Sequence, residues 1–319
     1  MKIISAQSTS GDGPNGLADI VSQMDIAGRG APDFIAIHFG VGLDAAELQV
    51  GAKNCIGSAA LHGGSSCLGV MGPSGVDVSG SGLGAFAIWD GAGSYGTSSA
   101  ELGDDAEAAA RQAAEDALNR AGRPGEIPEL IWLTVAPGRE EDVINGLRAV
   151  VGQETLIVGG SAADNDVTGK WVQFGPDAVH SDGLVVSALF PSTPVASVYQ
   201  SGYAPTGAHG VVTRVQGRRL HEIDGRAAAD VLHEWTSGAV PVAQDAPRSI
   251  LADATLWPLG RVMRQVAGVP FHILAHPAVA HPDGAVDLFA AVSEGDTLWQ
   301  MQGSSNRSQF CKHFFGSDR

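Results

Sequence analysis

The sequence predicts an α/β protein in which duplicated strand-helix-strand units form a layered mixed-sheet N-terminal domain, followed by a smaller α+β C-terminal domain. Three observations carry that prediction. Two matching segments lie 96 positions apart, short and nearly continuous apolar runs alternate with helical patterns, and an alanine-striped helix stands between the matching segments.

The repeat comes first because it fixes the architecture. From Pro32 the chain reads PDFIAIHFGVGLDAAEL, and from Pro128 it reads PELIWLTVAPGREEDVI, with proline on proline, acid on acid and apolar strand on apolar strand. Carried forward without a gap, the same offset sets Gly63, Gly64 and Ser65 on Gly159, Gly160 and Ser161, so HGGSSC recurs as VGGSAA. After a short insertion, SGSGLGAFAIWD pairs with VHSDGLVVSALF. The two units span about residues 32–90 and 128–190, each reading as strand, loop, helix, strand, Gly-Gly-Ser turn and a following pair of strands.

The run Phe34 to Phe39 is apolar almost throughout, as expected of a strand covered on both faces, and Leu130 to Val135 is its counterpart. Between the units, DDAEAAARQAAEDALNRAG predicts a helix with Asp104 as its cap and Gly122 beyond its end. Ala106, Ala109, Ala110, Ala113, Ala117 and Ala121 form one stripe that lets the helix lie close on a sheet. Further on, RRLHEIDGRAAADVLHEW predicts a short strand that turns at Asp224-Gly225 into a helix with Ala228, Val231, Leu232 and Trp235 on one face. Residues 237–247 form a proline-containing connection, and HPDGAVDLFAAVSEGDTLWQM predicts a hairpin around Ser293 to Asp296. The first domain is set at 1–215, the second at 216–303, and residues 304–319 are expected to be a disordered tail.

Composition excludes several classes. The chain has 319 residues, 44% of them hydrophobic, which is enough for a buried core. Acidic residues number 35 against 19 basic ones, and a formal charge of −16 repels nucleic acid and anionic membrane, so neither is expected as a partner. The start, MKIISAQSTSGDG, lacks the apolar core of a secretory signal, and no apolar run approaches the roughly 20 residues that span a bilayer, so a cytoplasmic protein is expected. Cys55, Cys67 and Cys311 are an odd count without a C-x-x-C pair, which argues for reduced thiols over a disulfide framework or a zinc site.

The stretch LIVGGSAADN, followed in order by WVQF, HSDGLVVSALF, GYAPTG, GVVTRVQGRRLHEIDGRAAADVLHEW and DLFAAVSEGDTLWQM, resembles the FIST family of sensory domains over about residues 1–303. The resemblance implies a small-ligand sensor of bacterial signalling, with amino acids proposed as ligands and haem bound by some members. It also implies a FIST N-type domain and a C-type domain that is partial here, since the chain stops at FCKHFFGSDR where further strands are expected. In place of the family's Gly-Cys-Ser/Thr-type turn, this chain has HGGSSCLG, with Cys67 three positions after Gly64.

An approximate twofold between the units would bring corresponding strand ends to face one another, where ligands of α/β folds bind. The expected ligand-binding set is His62, Gly63, Gly64, Ser65, Ser66 and Cys67 from one side, and Gly159, Gly160, Ser161, Asp164 and Asn165 from the other. Amides and hydroxyls suit a carboxylate, while Asp164 or Asp166 would take an ammonium, which is the chemistry of an amino-acid site. The competing account of both turns is a pair of tight strand exits retained by duplication. A hydrolase or transferase using Cys67 or Ser66, with His62 as base, is a second class, although GGSSC lacks the spacing of a nucleophile elbow. A nitric oxide sensor with non-covalent haem is a third, with His38, His62, His209, His221 and His233 as candidate axial ligands. His272, His276 and His281 are spaced like metal ligands, but Pro270, Pro277 and Pro282 break any helix that would align them, and no metal is expected. The expected protein is therefore a sensor of a small polar metabolite that signals in trans to a partner such as a kinase or cyclase, with a homodimer as its assembly. Haem is the one cofactor left open.

Overall fold

A computed structural model describes residues 1–67, 69–197, 202–266 and 269–303. It divides into two compact units, residues 1–197 and 198–319. The tail at 304–319, with Cys311, lies outside the described residues.

The first half of unit 1 runs β1 (Lys2–Ser8), α1 (Gly13–Met24), a one-turn α2 (Ile26–Arg29), β2 (Phe34–Gly40), α3 (Ala45–Ile56) and β3 (Ala60–Ser66). A small hairpin, β4 (Val70–Gly72) and β5 (Gly75–Asp77), leads to β6 (Leu83–Trp89). The second half runs β7 (Ser94–Glu101), α4 (Ala106–Arg120), β8 (Leu130–Val135), α5 (Glu140–Val151) and β9 (Leu156–Ser161). The two-residue strands β10 (Gln173–Phe174) and β11 (Val179–His180) then lead to β12 (Gly183–Phe190).

The duplication extends further than the sequence repeat. One sheet has the order β1-β6-β2-β3-β10-β11 and the other β7-β12-β8-β9, so β1 and α1 have their counterparts in β7 and α4. The alanine-striped helix is therefore the second half's own first helix. Its cap is Asp105, one residue later than expected, because the Asp105 carboxylate is the one that accepts the Ala108 N–H. Phe34 pairs with Ala60 in the parallel β2–β3 ladder, as Leu130 does with Leu156 in β8–β9, so the offset of 96 holds in the register as well.

Four layers follow from the strand alternation. Ile35, Ile37 and Phe39 face α1 and α3, and Ile131, Leu133 and Val135 face α4 and α5. Phe34, Ala36, Ile88, Leu130 and Leu189 form a thin apolar layer between the two sheets, joined by Phe86 stacked on Trp132. The Gly-Gly-Ser segments are not turns, as expected from the sequence, but the C-terminal halves of β3 and β9. Glycine at Gly63 and Gly64 serves packing and not chain reversal.

Unit 2 contains β13 (Tyr203–Gln216), β14 (Arg219–Ile223), β15 (Arg226–Ala227), α6 (Ala228–Trp235), β16 (Arg248–Ser249) and α7 (Leu251–Ala254). It continues with β17 (Leu259–Val266), β18 (Val269–Ala275), β19 (Pro277–Ala280), β20 (Val286–Leu288) and β21 (Thr297–Gly303). These form an antiparallel sheet of order β16-β19-β20-β14-β13-β21-β17-β18, and α6 packs Val231 and Leu232 into its core. Asp224 and Gly225 both take positive φ in the turn between β14 and β15. The hairpin expected around Ser293 is absent. The strands β20 and β21 do not pair with each other, because the intervening loop bonds back to β13 through the Gly295 N–H to the Val212 carbonyl and the Val212 N–H to the Asp296 carbonyl.

Candidate functional site

The ends of β2, β3, β8 and β9 enclose a cavity of about 450 Å³ between the two sheets of unit 1. Its wall takes His38 from β2, Ser65, Ser66 and Cys67 from the end of β3, and Trp132 and Thr134 from β8. Gly159, Gly160 and Ser161 complete it from β9, and Ala163 from the chain beyond. Six of the expected ligand-binding residues are therefore on this wall, Ser65, Ser66, Cys67, Gly159, Gly160 and Ser161.

The others do different work. His62 is wholly buried between the sheets, with Nδ1 2.9 Å from the Ser187 hydroxyl and Nε2 2.8 Å from the Thr134 hydroxyl. Ser187 in turn lies 2.7 Å from the Thr97 hydroxyl. Burial, and secondarily the neighbouring His38, holds the His62 pKa well below the usual histidine value, so the ring is a neutral tie between the halves. Gly63 leaves room for the Phe174 ring, since a Cβ there would stand 2.3 Å from it. Gly64 leaves room for Thr134, whose Cγ2 would be 2.6 Å from an added Cβ.

Asp164 is buried, and burial alone would raise its pKa. Backbone N–H groups of Lys170, Thr168, Val167 and Asp166 outweigh that and pull it below the usual carboxylate range. The bonds from Thr168 and Lys170 measure 2.9 and 2.8 Å, so this carboxylate organises its own loop. Asn165 lies beside Gly80, off the cavity wall.

On the wall itself the groups differ in availability. The Ser65 hydroxyl donates to the Ala163 carbonyl at 2.9 Å and accepts the Val172 N–H at 3.0 Å, so it is committed to holding the loop. Ser161 donates to a Glu140 carboxylate oxygen at 2.7 Å, at the start of α5. Cys67 is exposed, and burial of its thiol with the nearby Asp164 charge raises its pKa, the opposite of an activated nucleophile. Gly159 has φ +149°, and a Cβ there would fall 1.8 Å from the Leu133 carbonyl oxygen. Gly160 is different: nothing stands within 4 Å of where its Cβ would be, and the cavity opens beside it.

His38, Trp132 and Thr134 were not in the expected set. Alternation along β2 sets residues 34, 36 and 38 on the face between the sheets, and the offset of 96 sets His38 on Thr134, so both signals were in the sequence. Burial lowers the His38 pKa and a backbone hydrogen bond to Gly64 offsets this in part, leaving a neutral imidazole on the wall. A larger groove, about 830 Å³, lies between α1 and α3, lined by Leu17, Val21, Val50 and Cys55 among others. It is on the outer helix layer, away from the strand ends. Among the described residues no group of three or more His, Cys, Asp or Glu is placed to hold a metal ion, and no helix is long and apolar enough to cross a membrane.

Comparison with known proteins adds the following. Residues 34–226 match the FIST N domain. An uncharacterized protein of Methanocaldococcus jannaschii is 31% identical over 93 residues, a match that covers 27% of this chain and 18% of that protein's length. A cyanuric acid hydrolase from A. caulinodans overlays on 85% of this chain and 84% of its own with 12% identity and a TM-score of 0.32. A second cyanuric acid hydrolase structure overlays on 84% of each chain with 11% identity and a TM-score of 0.34. Likeness at that level carries no inference.

Proposed function

The chain belongs to the FIST family, whose domains are small-ligand sensory modules, and we propose that it senses a small polar metabolite, an amino acid or carboxylate, held between its duplicated halves. The observation that carries this reading is the cavity over Gly160, to which both Gly-Gly-Ser strands contribute. Its volume is in the range that encloses small ligands. The wall residues include no Lys or Arg, so a carboxylate would be held by backbone N–H groups and the Ser66 and Thr134 hydroxyls. The wall residues include no carboxylate for an ammonium: Asp164 is held by its own loop, and Glu140 meets the wall through its bond from Ser161. The reading extends to signalling in trans, with the ligand site biasing a surface that a partner such as a kinase or cyclase would read.

Thermal unfolding against a panel of amino acids and short carboxylates tests the proposal. A ligand at a hundredfold excess over its Kd stabilises by about 2.7 kcal/mol and raises the midpoint by a few degrees. Gly160→Val, whose Cβ enters open space, should abolish the rise while leaving the unliganded midpoint nearly unchanged. A rise that survives this substitution places the ligand elsewhere.

Haem is the second reading, favoured by one observation: a neutral imidazole, His38, stands on the wall. Against it, the wall supplies no cation for the propionates. Reconstitution that yields an intense visible band, lost in His38→Ala, would favour haem. Catalysis at Cys67 is opposed by its raised thiol pKa, and a sensor should return its ligand unconsumed.

A further inference from the structure

We propose that the outer edge of β9 accepts an extended peptide segment, antiparallel to the strand, with the side chain opposite Gly160 entering the cavity. This rests on the ligand-site reading above and names the class of ligand.

The molecule holds its own example at the equivalent place. The strand β3 carries the same Gly-Gly-Ser at the offset of 96, and its outer edge is filled by an antiparallel segment, Val172 with β10. The Ser65 N–H donates to the Val172 carbonyl at 2.9 Å, Gln173 stands opposite Gly64, and Phe174 stands opposite Gly63. Gln173 is wholly buried and its Oε1 accepts the Gly183 N–H at 3.2 Å, so a strand only two residues long is enough to place a polar side chain inside. Phe174 turns the other way and stacks on Phe39.

At β9 the same acceptor edge recurs, and no described strand lies along it. Among the described residues β9 pairs only with β8, and Gly159, Gly160 and Ser161 are exposed. Free edges are normally guarded by lysine, proline or a covering element, because unpaired N–H and C=O groups recruit other strands. LIVGGS carries no such guard. The offset makes Ser161 the counterpart of Ser65, so its N–H is the donor that would take a peptide carbonyl. Beside Gly64 the space is taken by Thr134, whereas beside Gly160 it is open, so the cavity is where the incoming side chain would go. His38, Ser66 and Thr134 offer hydrogen bonds, while the lack of cations on the wall and the charge of −16 disfavour acidic segments. A neutral polar side chain of the amide type fits best. This is strand addition, in which the main chain gives affinity and the pocket gives selectivity.

The test titrates acetyl-Val-Gln-Phe-amide, the sequence that fills the equivalent edge, into the full chain by calorimetry. Saturable binding is expected, weakened at least tenfold by N-methylation of the Phe amide, whose N–H the strand alternation turns towards β9. Gly160→Val should remove the contribution of the Gln side chain, so that Gln and Ala peptides bind alike. An N-methylated peptide that binds as tightly as its parent overturns the proposal. If a free amino acid raises the midpoint in a Gly160-dependent way and no peptide binds, strand addition fails while the metabolite site stands. If neither acts, the site reading fails with it. A dimer seen by light scattering without peptide binding would assign the edge to a second copy and overturn the proposal.

Discussion

Four strands of the first half, β1-β6-β2-β3, and four of the second, β7-β12-β8-β9, share one order, and each half leaves open a layer that the other fills. Between the sheets it is the second half that is open: Thr134 reaches the space beside Gly64, while its counterpart His38 leaves the space beside Gly160 free. In the helix layer it is the first half: α1 and α3 are splayed around a groove of about 830 Å³, whereas α4 and α5 close on each other at Gly146. Duplication fixed the backbone frame, and single side-chain sizes at equivalent positions decide where a ligand has room. The comparison is open to direct tests.

The largest effect is expected at the two central glycines. Gly64→Val sets its Cβ 2.6 Å from a Thr134 that His62 holds in place, and overpacking of that kind costs about 3 kcal/mol. Gly160→Val, at the matching position, should cost under about 1 kcal/mol because its side chain enters free space and valine suits a strand. Chemical denaturation of both variants measures the difference. Equal losses would mean that the halves are not open and filled as described.

A second test breaks the tie between the halves. His62→Ala takes the imidazole partner from the buried Thr134 hydroxyl and leaves the Ser187 hydroxyl with Thr97 alone, and should cost about 2–4 kcal/mol. The same residue predicts a pH dependence. The folded pKa lies well below the unfolded value of 6.5, so below pH 6.5 the unfolded chain binds more protons, and stability falls as the pH falls through that window. His38 and His180, whose pKa values are also lowered, add to the slope. The lowered carboxylates Asp90 and Asp164 act in a lower window: their contribution is full above the unfolded value of 3.8 and is lost as the pH falls through their folded values. His62→Gln should therefore flatten the decline below pH 6.5 and leave the loss below 3.8 intact, as measured by unfolding midpoints across pH.

How far the sequence reached follows from these particulars. The offset of 96 was legible because strand and turn residues recur in place, and it gave the register of β3 and β9 correctly. The counterparts β1 and α1 were not legible, since KIISAQS and SYGTSSAE share no pattern beyond being strands. Glycine pairs read locally as turns because glycine signals chain reversal, while the use of Gly63 and Gly64 is to admit Phe174 and Thr134, which only the packed structure brings near. The position of His62 before Gly63 suggests a place beside the ligand, yet alternation points it across the sheets to Thr134 and Ser187. Asp164 reads as available for an ammonium in the sequence, because nothing in its pattern shows that the four N–H groups holding it come from the residues that follow in its own loop.

The smallest effect sharpens the comparison in the helix layer, where Gly51 on α3 and Gly146 on α5 occupy matching crossings. Alanine at 146 would bring its Cβ to 2.3 Å from the Glu107 carbonyl oxygen and 2.9 Å from the Ala110 Cβ, so a backbone must shift, at a cost of about 2 kcal/mol. At Gly51 the nearest atom is the Leu17 Cδ1, at 2.7 Å, the far end of a side chain that borders the groove and has room to turn away. Helix propensity favours alanine over glycine by roughly 1 kcal/mol, so Gly51→Ala should be neutral or stabilising by up to about that amount. A matched loss in both variants, read from denaturation midpoints, would show that α1 is held as rigidly as α4. The groove would then be a fixed feature of the first half, and Leu17 would lack the freedom that the prediction assigns to it.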